Sequence, residues 1–282
     1  MQNTNISVHR IPATTANIGP GYDCLGVAVR LYNKVAVRRD YEAVAENGMA
    51  RTAADIFWKA SGVAPFNFEW NVQGDVPRSR GMGSSVTVRL GLLLGLNALS
   101  NQPLERTALF ELCAGLEGHP DNAAPAAFGG FTVAGGPRVA RFAVSDALQF
   151  IFLIPGFEVA TPDARKVLPA TLPHRDAVAS ATNACRIVAA FAAQDYAMLR
   201  GSFGDHFHQT HRAHLIPFLN EVIAAGENAG ALGGFLSGSG STICCVTLEN
   251  AAAVAAAMRA ACPDPDARTV ITTADNTGAL EV

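Results

Sequence analysis

Alternating and near-continuous apolar runs divide the chain into strands and helices. Val8 to Ile11 predicts a short strand, followed by a loop rich in Gly and Pro from Pro12 to Gly21. Val27 to Arg39 predicts a strand with a partner across Tyr32-Asn33. Phe66, Phe68, Trp70 and Val72 alternate with polar residues, the period of a half-buried strand. Ser85 to Leu99 and Glu105 to Leu116 predict helices. Phe128 to Val133, after Pro125, and Phe142 to Ile154 predict strands. Asp176 to Ala193, Tyr196 to Ala213 and Leu215 to Ala229 predict three more helices, the last stopped by Gly230. Phe235 to Leu248 predicts strand-like flanks around a glycine-serine loop. Ala251 to Ala261 predicts an alanine helix, and Val270 to Thr273 a last strand. The mixture is α+β. The pattern changes near residue 150, which suggests two domains, 1–149 and 150–282.

Composition narrows the class. With 282 residues and 49% hydrophobic content, the chain can bury a real core. A charged content of 16% argues against a disordered chain. The net charge of −3 gives no broad basic field for nucleic acid, so any anion site must be local. The cysteines (24, 113, 185, 244, 245 and 262) form no C-x-x-C pair and read as reduced thiols of a cytoplasmic protein. Met1 to Arg10 shows no apolar leader, and no apolar run reaches transmembrane length, so no membrane partner is expected.

Arg80-Gly81-Met82-Gly83-Ser84-Ser85, just before a predicted helix, is the first candidate for chemistry. Its glycines permit close backbone approach, Ser84 and Ser85 are expected to cap the helix, and a helix N-terminus accepts phosphate oxygens. Arg78 and Arg80 add positive charge. No Lys follows the glycines, so this is not a Walker A loop. Taken alone, the loop is equally a serine-capped turn.

Three further segments frame it. Pro12-x-x-x-x-Asn17-x-Gly19-Pro20-Gly21-Tyr22-Asp23-x-Leu25-Gly26 offers an amide and a carboxylate on one loop. Glu117-Gly118-His119-Pro120-Asp121-Asn122 lies between an apolar helix and an apolar strand. Leu236-Ser237-Gly238-Ser239-Gly240-Ser241-Thr242 is a second glycine-serine loop. Together these motifs resemble the GHMP kinase superfamily and, in the first two segments, its homoserine kinase branch. The resemblance runs from about Val8 to Cys245. Weaker matches lie at Thr161-Pro-Asp-Ala-Arg165 and Asp205-x-x-His208-Gln209-x-x-Arg212. The helix start Val86-Thr87-Val88-Arg89 departs from the family's small alanines, and Ser239 and Ser241 stand where alanine and proline are common.

The resemblance implies a two-domain fold with a ferredoxin-like C-terminal half, and ATP-dependent phosphorylation of the side-chain hydroxyl of L-homoserine. It implies an ATP site at Arg80, Gly81, Met82, Gly83, Ser84, Ser85, Ser237 and Gly238. Mg²⁺ would be held by Ser85 and a carboxylate, with Glu117 the candidate and Glu111 its competitor. Asp23 would take the substrate ammonium, while Arg165 and Arg212 would take its carboxylate. Asn17 and His119 would hydrogen-bond the substrate. Asn122, Thr161 and Arg165 would stand at the reacting atoms. An amide at 122 cannot take a proton as a carboxylate does, so no strong general base is expected. His208, His211 and His214 recur every three residues, so that with His206 a zinc site is conceivable, but no cysteine or acidic motif completes it and the resemblance makes His208 part of the substrate-site segment. Two other readings stay open: a related kinase of mevalonate, a sugar or threonine, and a non-catalytic ligand sensor. A homodimer is the assembly expected.

Overall fold

The computed structural model describes residues 5–40, 48–136 and 138–282. The first four residues, on which the expectation about a leader partly rests, lie outside them. Two antiparallel sheets organise the chain. The first contains β1 (Ile6–Ala16), β2 (Leu25–Arg39), β3 (Phe68–Gly74), β4 (Phe131–Val133), β5 (Ala140–Phe142) and β10 (Leu280–Glu281), in the order β10-β1-β2-β4-β5 with β3 also on β2. The chain end thus returns to the first sheet, where Leu280 pairs with Arg10. Packed with this sheet are α1 (Gly48–Ser61), α2 (Ser84–Leu99), α3 (Arg106–Glu117) and α4 (Ala123–Phe128).

The second sheet has the order β7-β8-β6-β9, from β6 (Gln149–Ile154), β7 (Gly233–Leu236), β8 (Ile243–Thr247) and β9 (Arg268–Thr273). Between β6 and β7 lie α5 (Thr161–Lys166), α6 (His174–Ala193), α7 (Gln209–Arg212) and α8 (Leu219–Asn228). Between β8 and β9 lies α9 (Ala251–Ala261). That β-α-β-β-α-β sequence, with β8 inserted between β6 and β7, is the ferredoxin-like arrangement expected.

Several elements differ from the sequence pattern for identifiable reasons. β1 runs on through Ala16, because a register shift at Pro12/Ala13 absorbs the proline and Ala13–Ala16 still pair with Val29–Gly26. β2 is one strand and no hairpin turns at Tyr32-Asn33. Asn33 is instead a buried bracket: it donates to Thr87 Oγ1 at 2.8 Å and accepts from the Val76 amide. Phe128 ends α4, whose Pro125 sits in the first turn, where no helical N–H is required. The strand therefore begins at Phe131. Phe142–Ile154 divides between the two sheets, as β5 and β6. Tyr196–Ala213 is not one helix: after a 3-10 turn at Tyr196–Leu199, α7 begins only at Gln209. Asp205 stops it from starting earlier by accepting from the amides of Phe207, His208 and Gln209. The third helix of this region starts at Leu219 rather than Leu215.

One hydrophobic cluster spans both sheets. Ile18, Leu25, Val27, Met82 and Phe131 from the first half pack with Phe150, Phe152, Phe191 and Phe235 from the second. At its centre Phe131 on β4 stacks on Phe191 of α6, ring centroids 4.1 Å apart. Both rings are buried. Phe131→Ala should lower unfolding free energy by about 3–5 kcal/mol, the usual loss for a buried phenylalanine, as read from urea denaturation. A loss below about 1 kcal/mol would show that the two halves do not depend on this contact.

Candidate active site

The two glycine-serine loops meet at the junction of the sheets. Ser237 Oγ donates to Gly81 O at 2.7 Å, and the Thr242 amide donates to Arg80 O at 3.2 Å. The Gly238 amide donates to Ala16 O, at the end of β1. Beside this junction opens a cavity of about 380 Å³.

One wall is the start of α2. The residue preceding the helix is Gly83, at φ +67°, where a Cβ would lie 2.1 Å from Thr14 Oγ1. Ser84 and Ser85 therefore do not cap the helix as expected; they fall inside its first turn. Ser84 Oγ accepts from the Ser79 amide, and Ser85 Oγ donates to Glu117 Oε2 at 2.9 Å. No side chain caps α2 and no acidic residue sits in its first turn. Its unpaired N–H groups and partial positive charge are thus available to an anion.

Another part of the lining carries fixed charge. Arg165, on α5, makes a two-pronged pair with Asp23, Nη2 to Oδ1 at 2.8 Å and Nη1 to Oδ2 at 3.1 Å. Arg165 Nη1 also donates to Tyr22 Oη. The Tyr22 ring lies near both Arg165 and Arg212, at 5.5 and 5.3 Å from their guanidinium carbons. Arg212 is almost fully buried; Nε donates to Ala164 O and Nη1 to Gly238 O, while among the described residues no hydrogen bond leaves Nη2.

Between the walls, Asn122 accepts from Thr14 Oγ1 at 2.7 Å, which fixes the carbonyl side of its amide and leaves the NH₂ side as donor. His119 Nδ1 donates to Asp121 Oδ1 at 2.6 Å, and this bond raises the His119 pKa above its ordinary value. The other oxygen of buried Asp121 has no hydrogen-bond partner among the described residues. Thr161 Oγ1 lies 3.3 Å from Ser239 Oγ.

The cavity brings together Asn17, Asp23, Gly81, Gly83, Ser84, Ser85, Glu117, His119, Asn122, Thr161, Arg165, Arg212 and Gly238. It excludes three residues expected at the nucleotide. Met82 has its side chain in the core. Arg80 turns to the second half, bonding Pro155 O and Gly156 O and pairing with Glu158. Ser237 is buried and braces Gly81. Asn17 lines the cavity, but its amide ties two loops, donating to Gly238 O and accepting from the Asp23 amide. Glu111 is exposed and is not part of the wall. The four histidines do not assemble: His206 and His214 are exposed, while His208 is buried. Among the described residues, the one group with metal-ligand spacing is Asp23, His119 and Asp121.

The chain matches the family models for the GHMP kinases N terminal domain over residues 48–130 and for GHMP kinases C terminal over 187–264. The homoserine kinase of Clostridium beijerinckii is 37% identical over 255 residues, covering 85% of this chain and 86% of that protein. The chain belongs to the homoserine kinase family. A crystal structure of homoserine kinase from Cytophaga hutchinsonii superposes with a TM-score of 0.91 at 25% identity, covering 100% of this chain and 99% of that one. Mevalonate kinase from Methanococcus jannaschii shares the GHMP fold at a TM-score of 0.71 and 12% identity, covering 94% of this chain and 97% of that one. The chain is thus an ATP-dependent kinase that phosphorylates a hydroxyl group.

Other site features of this homoserine kinase relative were not singled out from sequence. Tyr22 and Asp121 carry no chemical signal in the sequence beyond their motif positions. A hollow of about 340 Å³ lined by Trp70, Val72, Val76 and Val88 shares Ser79, Ser84 and Ser85 with the main cavity. Its apolar residues come from separate elements, and no motif marks them. The six cysteines are free thiols. Burial pushes the cavity-adjacent Cys24 up to about 11, which removes it as a nucleophile near neutrality.

His208 has a testable electrostatic signature. Its Nε2 donates to Gly19 O at 2.8 Å, while Nδ1 faces Arg212 Nη1 at 3.4 Å, an arrangement that suits only the neutral ring. Burial lowers its pKa, with Asp205 opposing. The unfolded chain, titrating near 6.5, therefore takes up this proton first as pH falls. Stability from this group is full above about 6.5 and is lost as pH falls through the lower folded value. His208→Gln, which keeps a donor without the titration, should flatten the decline of the urea midpoint between about pH 7.5 and 5.5. Equal slopes in both proteins would contradict the buried neutral imidazole.

Proposed function

We propose that the cavity binds ATP along the α2 wall and L-homoserine against the Asp23–Arg165 wall, and transfers the γ-phosphoryl group to the side-chain hydroxyl of homoserine. The observation that carries this reading is that one cavity is lined both by an uncapped helix start and by a fixed carboxylate with two guanidiniums. The first suits a polyphosphate. The second suits a zwitterion, with ammonium at Asp23 and carboxylate at Arg165 and Arg212. A monoanionic acceptor such as mevalonate offers no ammonium to Asp23.

The apolar hollow beside Trp70 is the place for the nucleotide base, because it continues from Ser84 and Ser85. Residues 1–149 supply that side and residues 150–282 supply Thr161, Arg165, Arg212 and Gly238. The Ser85 hydroxyl and the Glu117 carboxylate form a hard-oxygen pair next to the helix start, a donor set that fits Mg²⁺. Mg²⁺ bound there would neutralise phosphate charge. The hydroxyl oxygen forms the new bond to the γ-phosphorus as the bond to the bridging oxygen breaks, and ADP leaves. Asn122, its carbonyl held by Thr14, can orient the hydroxyl by donating to it but cannot accept its proton. The proton therefore passes to phosphate or solvent, and catalysis rests on positioning. With ATP and a free amino acid as substrates, a cytoplasmic location follows.

Coupled ADP release with L-homoserine tests the reaction, and turnover of mevalonate but not homoserine would overturn it. Arg212 braces Ala164 and Gly238 as well as facing the cavity, so Arg165 is the cleaner probe. Arg165→Met should raise KM for homoserine about 10- to 100-fold, as expected for one lost charge-assisted contact, and leave KM for ATP within about twofold. Equal effects on both constants would contradict the placement of the amino acid.

A further inference from the structure

The nucleotide side of the cavity holds a cation that the preceding account does not use. Its phosphate loop has no lysine after the glycines, the protein carries a net charge of −3, and Arg80 is turned away. A helix start alone offers only about half a unit of positive charge. Arg89 follows Ser85 by four residues, so the two share one face of α2, and both line the cavity. Its side chain is 25% exposed. All of its hydrogen bonds leave from Nη1, to Leu116 O at 2.8 Å and to Glu117 Oε1 at 2.7 Å. Nε and Nη2 bond nothing within the described protein. Arg165 and Arg212, the other guanidiniums that line the cavity, already bond Asp23 and the carbonyls of Ala164 and Gly238.

We propose that Arg89 is a polyphosphate-binding residue of the nucleotide site, its Nε and Nη2 reaching the terminal phosphates of a nucleoside di- or triphosphate while Nη1 keeps Glu117 aimed at Ser85. The inference rests on the proposed nucleotide position. It supplies the charge that a lysine would supply in other phosphate loops, from one turn further along the helix. The same residue links the chemistry of the wall: the Ser85 hydroxyl, the Glu117 carboxylate and the Arg89 guanidinium form one continuous chain of hydrogen bonds. Because Glu117 meets Ser85 through Oε2 and Arg89 through Oε1, the guanidinium does not block the oxygen that faces Ser85.

Calorimetric titration with ATP, ADP, AMP and adenosine, without acceptor and with EDTA to remove divalent cations, tests this on the wild type, Arg89→Met and Arg89→Lys. Arg89→Met should weaken ATP and ADP about 10- to 100-fold, the scale of a charge-assisted phosphate contact, and leave adenosine within about twofold. Arg89→Lys keeps the charge, but one ammonium cannot serve both Glu117 and a phosphate. It should lose about 3- to 10-fold on ATP alone. If Arg89→Met does not fold, the lysine variant carries the test. Unchanged ATP affinity in a folded variant, or an equal loss on adenosine, overturns the role of Arg89. Failure of the wild type to bind ATP even with Mg²⁺ restored would instead overturn the nucleotide position.

Discussion

The Ser237 carbonyl lies where a Cβ on Gly81 would have to be, 2.1 Å from its ideal position, and Gly81 itself is at φ +74°. Only glycine permits this approach. Through it the loop before α2 and the loop between β7 and β8 bond backbone to backbone and side chain to backbone, and β1 joins them through Ala16. The cavity is the space these loops leave. A side chain at 81 would force them apart and separate the phosphate wall from the wall that carries Arg165 and Arg212.

That seam explains why several residues expected to touch ligands serve the loops that frame the cavity. Ser237 and Asn17 are committed to holding loops, and Met82 anchors the phosphate loop in the shared core. The groups left facing the cavity are the α2 start and the charged side chains. Asp23 and Arg165 satisfy one another across the amino-acid end. A zwitterion offers each the same kind of partner, ammonium for carboxylate and carboxylate for guanidinium, so exchange need not strand either charge in a partly buried site. A ligand with one charge would strand one of them.

Much of this was legible in the sequence, because motifs with glycine and charge at fixed spacing report local backbone geometry. The second glycine-serine loop and the alanine helix Ala251–Ala261 fall where the pattern puts them. Pro12 misled because a bulge, invisible in one strand alone, lets β1 continue past it. The helix α1 has no counterpart among the predicted elements, although Ala50, Ala53, Ala54 and Phe57 recur at helical spacing on its buried face. The His208 spacing suggested metal, yet its meaning depends on Gly19 and Arg212, one of them 189 residues away. Arg89 stood out only as a departure from small residues. Its role depends on Glu117, which α3 brings to it across 28 positions. The base hollow had no signal, since Trp70 and Val88 are ordinary apolar positions until β3 and α2 bring them together.

The central claim is one of placement: polyphosphate at the start of α2, amino acid between Asp23 and Arg165. A crystal structure with L-homoserine and a non-hydrolysable ATP analogue tests it most directly. The account predicts the triphosphate on the Gly81–Ser85 backbone, the ammonium on Asp23, the carboxylate on Arg165 and Arg212, and the substrate hydroxyl between Asn122 and the terminal phosphate. A nucleotide bound away from that loop, or an amino acid lying with its carboxylate toward Asp23, would contradict it.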